Sequence, residues 1–114
     1  MHNFCIVTVF HDIDQNIKGN TAAVIELTSN LETENCAALA EEFNQPATSF
    51  IRKEKEGQYA VRWFAPDGEI GLCGHGSLAI AAYLHEVKGE DKATLHFKDG
   101  IIQVGFNGEH YFIW

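Results

Sequence analysis

The run Leu78-Ala79-Ile80-Ala81-Ala82-Tyr83-Leu84 leaves a helix no polar face. A helix that is apolar all round belongs inside a protein, enclosed by other elements. Its flanks extend the candidate from Gly74 to Val87. The rest of the chain must then supply a wall around it.

The other segments read mainly as strands. Asn3 to Phe10 is rich in β-formers and apolar on both alternating faces, as in a strand buried on both sides. His11 to Gly19 is polar and reads as a loop, followed by a strand over Ala22 to Leu27. After a turn at Thr28 to Leu31, Cys36, Leu39, Ala40 and Phe43 recur at i, i+3, i+4, i+7. This spacing predicts an amphipathic helix ending near Asn44, before Pro46, with Glu34 near its start, where the helix dipole favours it. Thr48 to Lys53 and Gln58 to Phe64 read as a hairpin around Lys55-Glu56-Gly57, with Tyr59, Val61 and Trp63 pointing one way. Ala93, Leu95 and Phe97 alternate with polar residues, then Ile102, Val104 and Phe106 do the same. Asp99-Gly100 and Asn107-Gly108 are hairpin signals that lead into a last strand at Tyr111 to Trp114. The expected class is α+β, with a mostly antiparallel, curled sheet wrapped around the apolar helix.

With 114 residues and 12.7 kDa, the chain has the size of a single domain, 1–114. Sixteen acidic residues against eight basic ones give a formal charge of −8. A surface that acidic argues against nucleic acid or an anionic membrane as partner, while a local site can still take a small anion. No apolar stretch is long enough to span a bilayer, and Met1-His2-Asn3-Phe4 lacks a signal-peptide layout. Three cysteines, Cys5, Cys36 and Cys73, form no C-x-x-C pair. They suggest neither a disulfide framework nor a zinc ribbon, and a reducing cytoplasm is the expected compartment. Cys5 and Cys36 read as core, and His85 and His96 as structural.

The stretch that can carry chemistry is Cys73-Gly74-His75-Gly76-Ser77, a turn that opens the apolar helix. Backbone N–H groups at a helix start, with small residues around them, suit an anion such as a carboxylate. Gly74 and Gly76 let a ligand come close to the backbone. Cys73, beside the positive helix end, is either a thiolate acid/base or an inert packed thiol. His75 either orients a substrate and moves a proton or caps the turn. A metal at Cys73-x-His75 lacks further ligands at fitting spacing, and no nucleotide-binding glycine fingerprint is present.

These residues, in order, resemble the phenazine-biosynthesis PhzF-like family. Gly19-Asn20-Thr21-Ala22-Ala23-Val24 resembles its Gly-Asn-Pro-Ala-Ala-Val signature, and Glu42-Phe43-Asn44 followed by Phe50 its helix end and next strand. Arg62-Trp63-Phe64-Ala65-Pro66 resembles its Arg-x-Phe-Thr-Pro, and Cys73-Gly74-His75-Gly76-Ser77-Leu78-Ala79 its Cys-Gly-His-Ala-Thr-Leu-Ala. The resemblance spans essentially the whole chain. It implies half of a diaminopimelate epimerase-like fold, the N-terminal one: a barrel-like sheet around a central helix. In the family, two such halves face each other across a cleft and move a proton at carbon without metal or organic cofactor. Cys73, which matches the catalytic thiol of the related epimerases and racemases, and His75 are the candidate catalytic groups, and Asn20, Gly74, Gly76 and Ser77 the candidate substrate-binding ones. The family's acid/base glutamate, in Asn-x-Ser-Glu-x-x-Phe, falls here on Ala47, which carries no proton. Three functional expectations follow. The chain is an isomerase or epimerase for a small carboxylate, with its cleft formed in a homodimer; or a non-catalytic carboxylate binder; or a piece of a two-domain protein.

Overall fold

The computed structural model describes residues 3–9, 20–28, 32–45, 47–71 and 74–113, of which 3–9, 20, 21 and 75 are described by their backbone alone. The elements in order are β1 (Asn3–Val9), β2 (Asn20–Glu26), α1 (Thr33–Phe43), β3 (Ala47–Lys55), β4 (Gln58–Ala65), β5 (Gly68–Ile70), α2 (Gly74–Lys88), β6 (Lys92–Phe97), β7 (Gly100–Phe106) and β8 (Tyr111–Ile113). These strands form one sheet in the order β1-β2-β3-β4-β6-β7-β8, with β5 joined to β4. Only the β2/β3 and β4/β6 pairs are parallel. Parallel neighbours need a crossover, and α1 and α2 are the two helices that make it.

α2 packs against β1, β2 and β3 and also against β7 and β8. One helix touches both ends of the sheet, so the sheet curls around it, as the all-apolar run requires. Ala79, Ile80, Ala81, Tyr83 and Leu84 are buried with Tyr59, Val61, Trp63, Leu95 and Val104 in this inner core. α1 covers the outer face, where Cys36 and Ala40 pack on Ile25, Phe50 and Phe64. Neighbouring residues of β3 and β4 thus serve opposite cores. Ile51 and Trp63 point inward, while Phe50 and Phe64 point outward and meet edge to face with centroids 5.5 Å apart. Strands buried on both faces explain why the middle of the sequence shows little clean alternation. Among the described residues, no helix is long and apolar enough to cross a membrane.

Several boundaries differ from the sequence reading. β2 starts at Asn20 rather than Ala22, and β3 runs to Lys55. The β3–β4 turn therefore shrinks to Glu56-Gly57, with Gly57 at φ 71°. β5, with three residues, is too short to leave a periodic signal. The Asn107-Gly108 signal produces a longer loop than a two-residue hairpin. The Asn107 side-chain oxygen accepts from the N–H groups of Glu109 and His110, both at 2.9 Å, and the Asn107 N–H donates to the His110 carbonyl at 3.1 Å. An Asx turn of this kind competes with the tighter hairpin. The expected loop at His11 to Gly19 lies outside the described residues, as do Phe10 and Trp114.

Asn44 ends α1 in the left-handed region, at φ 50° and ψ 40°, with its N–H donating to the Ala40 carbonyl at 2.9 Å. Only glycine and, less easily, asparagine take this cap without a Cβ penalty. Asn44→Ala is expected to lower the unfolding free energy by about 1 kcal/mol, while Asn44→Gly keeps or slightly raises it. Urea denaturation of the two variants checks this.

Polar side chains close the far end of α2. Glu26 accepts from the Tyr83 hydroxyl and from Lys88 Nζ, both at 2.7 Å, and Glu90 accepts from the Tyr59 hydroxyl at 2.8 Å. Burial, reinforced by the Glu90 carboxylate, pushes the Tyr59 phenol well above its ordinary range. His85, read from sequence as following the core, pairs with Asp91 at 2.6 Å and stacks on Phe106.

Candidate functional site

The first turn of α2 rests on a cross-strand row. Val24 pairs with Ser49, Ser49 with Trp63, and Trp63 with Ile70, across β2, β3, β4 and β5. Gly76 sits on the middle of this row. The Ser49 hydroxyl donates to the Gly76 carbonyl at 3.3 Å. A Cβ at position 76 would lie 2.5 Å from Trp63 Cδ1, 2.7 Å from Trp63 Nε1 and 2.8 Å from Ser49 Oγ. Gly76 is thus accounted for by contact within the chain. Gly74 differs: it is exposed, and a Cβ there would meet nothing within 4 Å. The open side of the turn is at Gly74 and the packed side at Gly76, with the Ser77 side chain fully buried.

The first N–H groups of a helix have no partners within it, and together they carry about half a positive charge. The Gly76–Ser49–Trp63 contact fixes where that partial charge stands. Beside it, the Trp63 indole N–H is buried with no acceptor among the described residues.

The other expected site residues gather at the same end to differing degrees. Asn20 opens β2, two residues before Ala22, and Ala22 pairs with Ala47 at the head of β3. Ala47 and Ser49 share a strand face, because side chains alternate with period two. Position 47 therefore stands one pleat from the residue that touches Gly76. Ala47 itself is buried in the inner core. His75 lies in the first turn of α2, where its backbone alone is described, and Cys73 lies outside the described residues.

Cys36 behaves as the sequence suggests. It is fully buried and free, and burial pushes its thiol up to about 11, so it stays protonated near neutral pH. Ser49 is the residue the sequence reading missed. Its only signal was a polar residue within the β3 run, and its value depends on meeting a helix start 27 positions away.

On the outer face, the Arg62 guanidinium ties three elements together. It donates to both Glu69 oxygens, at 2.8 and 2.6 Å, and to the Thr33 hydroxyl at 3.0 Å. The hydrogen bonds from Arg62 hold the Glu69 carboxyl below its usual range, and they raise Arg62 in turn.

A curled mixed sheet around a buried helix, with a glycine-lined helix start at one end, defines a fold class that solved structures share. A PhzF-family phenazine biosynthesis protein from Enterococcus faecalis matches with a TM-score of 0.78 and 31% identity, over 96% of this chain and 41% of its own. A putative phenazine biosynthesis PhzC/PhzF protein from Clostridium difficile matches with a TM-score of 0.79 and 32% identity, with the same coverage of 96% and 41%. Among curated proteins, an uncharacterized isomerase from Halalkalibacterium halodurans is 36% identical over 99 residues, covering 84% of this chain and 37% of the relative. The family model described as phenazine biosynthesis-like protein matches residues 7–111. The chain belongs to the phenazine biosynthesis-like family, and it spans well under half the length of these relatives.

Proposed function

We propose that this chain forms one wall of an isomerase or epimerase site that takes a small carboxylate at the start of α2 and moves a proton at its α-carbon. The observation that carries the reading is the α2 start itself, open at Gly74 and pinned at Gly76 by Ser49 and Trp63. The carboxylate accepts from the backbone N–H groups of the first turn, which suits an anion. Cys73, placed by sequence next to that positive end, takes the α-proton as a thiolate, and His75 holds or relays it. Gly74 lines the carboxylate end with Asn20 at the head of β2, while Gly76 and Ser77, both buried, take part through the backbone of the turn. One wall does not enclose a cleft. Two copies about a two-fold axis bring two Cys73 thiols to opposite faces of the substrate, one removing a proton and the other returning one. The relatives named as isomerases support the reaction class.

A second reading is favoured by one residue. With Ala47 where the family resemblance places a glutamate, the chain retains the anion site and binds a carboxylate without turning it over.

Deuterium exchange at Cα, followed by NMR for a panel of amino and hydroxy acids in D₂O, separates the two. The first reading expects exchange for at least one acid, its loss in Cys73→Ala, and a dimer by mass in solution. Saturable carboxylate binding without exchange leaves only the second reading. If neither exchange nor binding occurs, both readings fail.

A further inference from the structure

A cavity of about 410 Å³ opens on the outer face of the sheet, away from the α2 start. Its origin is a change of strand partner. β4 pairs with β6 through Gln58–Ala60 and with β5 through Trp63–Ala65, so neither ladder includes Val61 and Arg62. Where β6 leaves and β5 has not yet joined, the sheet splits and leaves a recess.

The floor and rims are set by register. Arg52 of β3 pairs with Ala60 of β4, and Ala60 pairs with His96 of β6. A methyl group thus lies between a guanidinium and an imidazole, whose Cα atoms stand about 10 Å apart, two strand spacings. Lys98 follows in the turn after β6, and Arg62 with its partner Glu69 closes the other end. Three of the eight Lys and Arg residues line this one recess, against a single carboxylate, in a chain of net charge −8.

The cations are committed to different extents. Arg62 is held by Glu69 and Thr33. Arg52 pairs with Glu54 at 3.0 Å through partly exposed side chains, a type of pair that contributes little to stability. Lys98 has no ion pair among the described residues, although its charge helps keep Glu69 ionised. His96, read from sequence as structural, donates from Nε2 to the Gln58 side-chain oxygen at 2.9 Å. The cavity is larger than a bare phosphate needs, and the partly exposed Phe97 borders it beside the charges.

We propose that this recess binds a small phosphate monoester, with the phosphoryl group over Ala60 between Arg52, His96 and Lys98, and the organic portion against Phe97. Guanidinium and ammonium groups around a small-residue floor form charge-assisted hydrogen bonds to such a dianion. The site is separate from the carboxylate site at α2 and does not depend on it.

The test is a titration of the chain with inorganic phosphate and with phenyl phosphate at constant ionic strength, followed by amide NMR shifts. Saturable shifts are expected at Ala60, His96 and Phe97, with phenyl phosphate binding more tightly. Lys98→Ala is expected to weaken binding about tenfold, and Arg52→Ala by a similar factor. Lys53→Ala, on the same strand but outside the recess, is the control and leaves affinity unchanged. Shifts that only track added sodium chloride overturn the proposal. So do shifts confined to Gly74–Ser77, or affinity that survives both Arg52→Ala and Lys98→Ala.

Discussion

Gly76→Ala is expected to destabilise the fold by about 1–3 kcal/mol, the usual cost of forcing a methyl group into a packed interior. Helix propensity alone predicts the opposite sign, since alanine is better than glycine in a helix by about 1 kcal/mol. The contest is decided by what the methyl group would meet. Its nearest neighbours would be Trp63 Cδ1 at 2.5 Å and Ser49 Oγ at 2.8 Å. Trp63 is buried and backed by the ring of Phe97, at a centroid separation of 5.3 Å, so it has little room to retreat. Gly74 supplies an internal comparison. A Cβ there meets nothing within 4 Å, so Gly74→Ala is expected to be neutral or stabilising. Urea denaturation of both variants reads the difference. A neutral or stabilising Gly76→Ala would mean that the head of α2 does not rest on Trp63.

Trp63→Ala is expected to produce the largest loss of any single substitution considered, about 3–5 kcal/mol. The side chain is one of the largest in the inner core and is 1% exposed. Its removal leaves a cavity under the first turn of α2, between Ser49 and Phe97. A domain of this size has a total stability of roughly 5–15 kcal/mol, so the variant stands near the edge of unfolding. Trp63→Phe keeps most of the ring and removes the buried N–H that has no acceptor among the described residues, so its cost should be clearly smaller. The two positions are coupled. In a Trp63→Ala background the ring that position 76 would strike is gone, and Gly76→Ala should cost about 0.5–3 kcal/mol less than it does alone. Simple additivity in that cycle would contradict direct contact between the two residues.

The elements that were easiest to read were those whose pattern is local. The α1 stripe of Cys36, Leu39, Ala40 and Phe43 became a helix over Thr33–Phe43, and the alternation of Ala93, Leu95 and Phe97 became β6. Tyr59, Val61 and Trp63 do point together into the inner core. β5 was not legible, because three residues carry no period and the strand exists only as a partner for β4. The two parallel pairings were also hidden. Nothing local to β4 indicates that its neighbour beyond Ala60 will be β6, which arrives only after the whole of α2. Among the site residues, the helix start at Gly74–Ser77 was legible as a glycine-bracketed turn before an apolar run. Ser49 was not, because its role comes from a contact across 27 positions.

The amino-acid sequence by itself determined that one helix must be enclosed and that strands must enclose it. A run with no polar side has no other stable place in water, and no tertiary detail is needed to see it. It also determined the family, because the motif residues occur in order along the chain. Only the tertiary structure decided which glycine faces open space and which faces Trp63, because that depends on the register of β3 against β4. Register likewise placed Arg52, Ala60 and His96 in one row and turned a histidine on a polar strand face into the rim of a cationic recess. Cross-strand neighbours are set by hydrogen-bond pairing between segments far apart in the chain. No local spacing encodes that pairing.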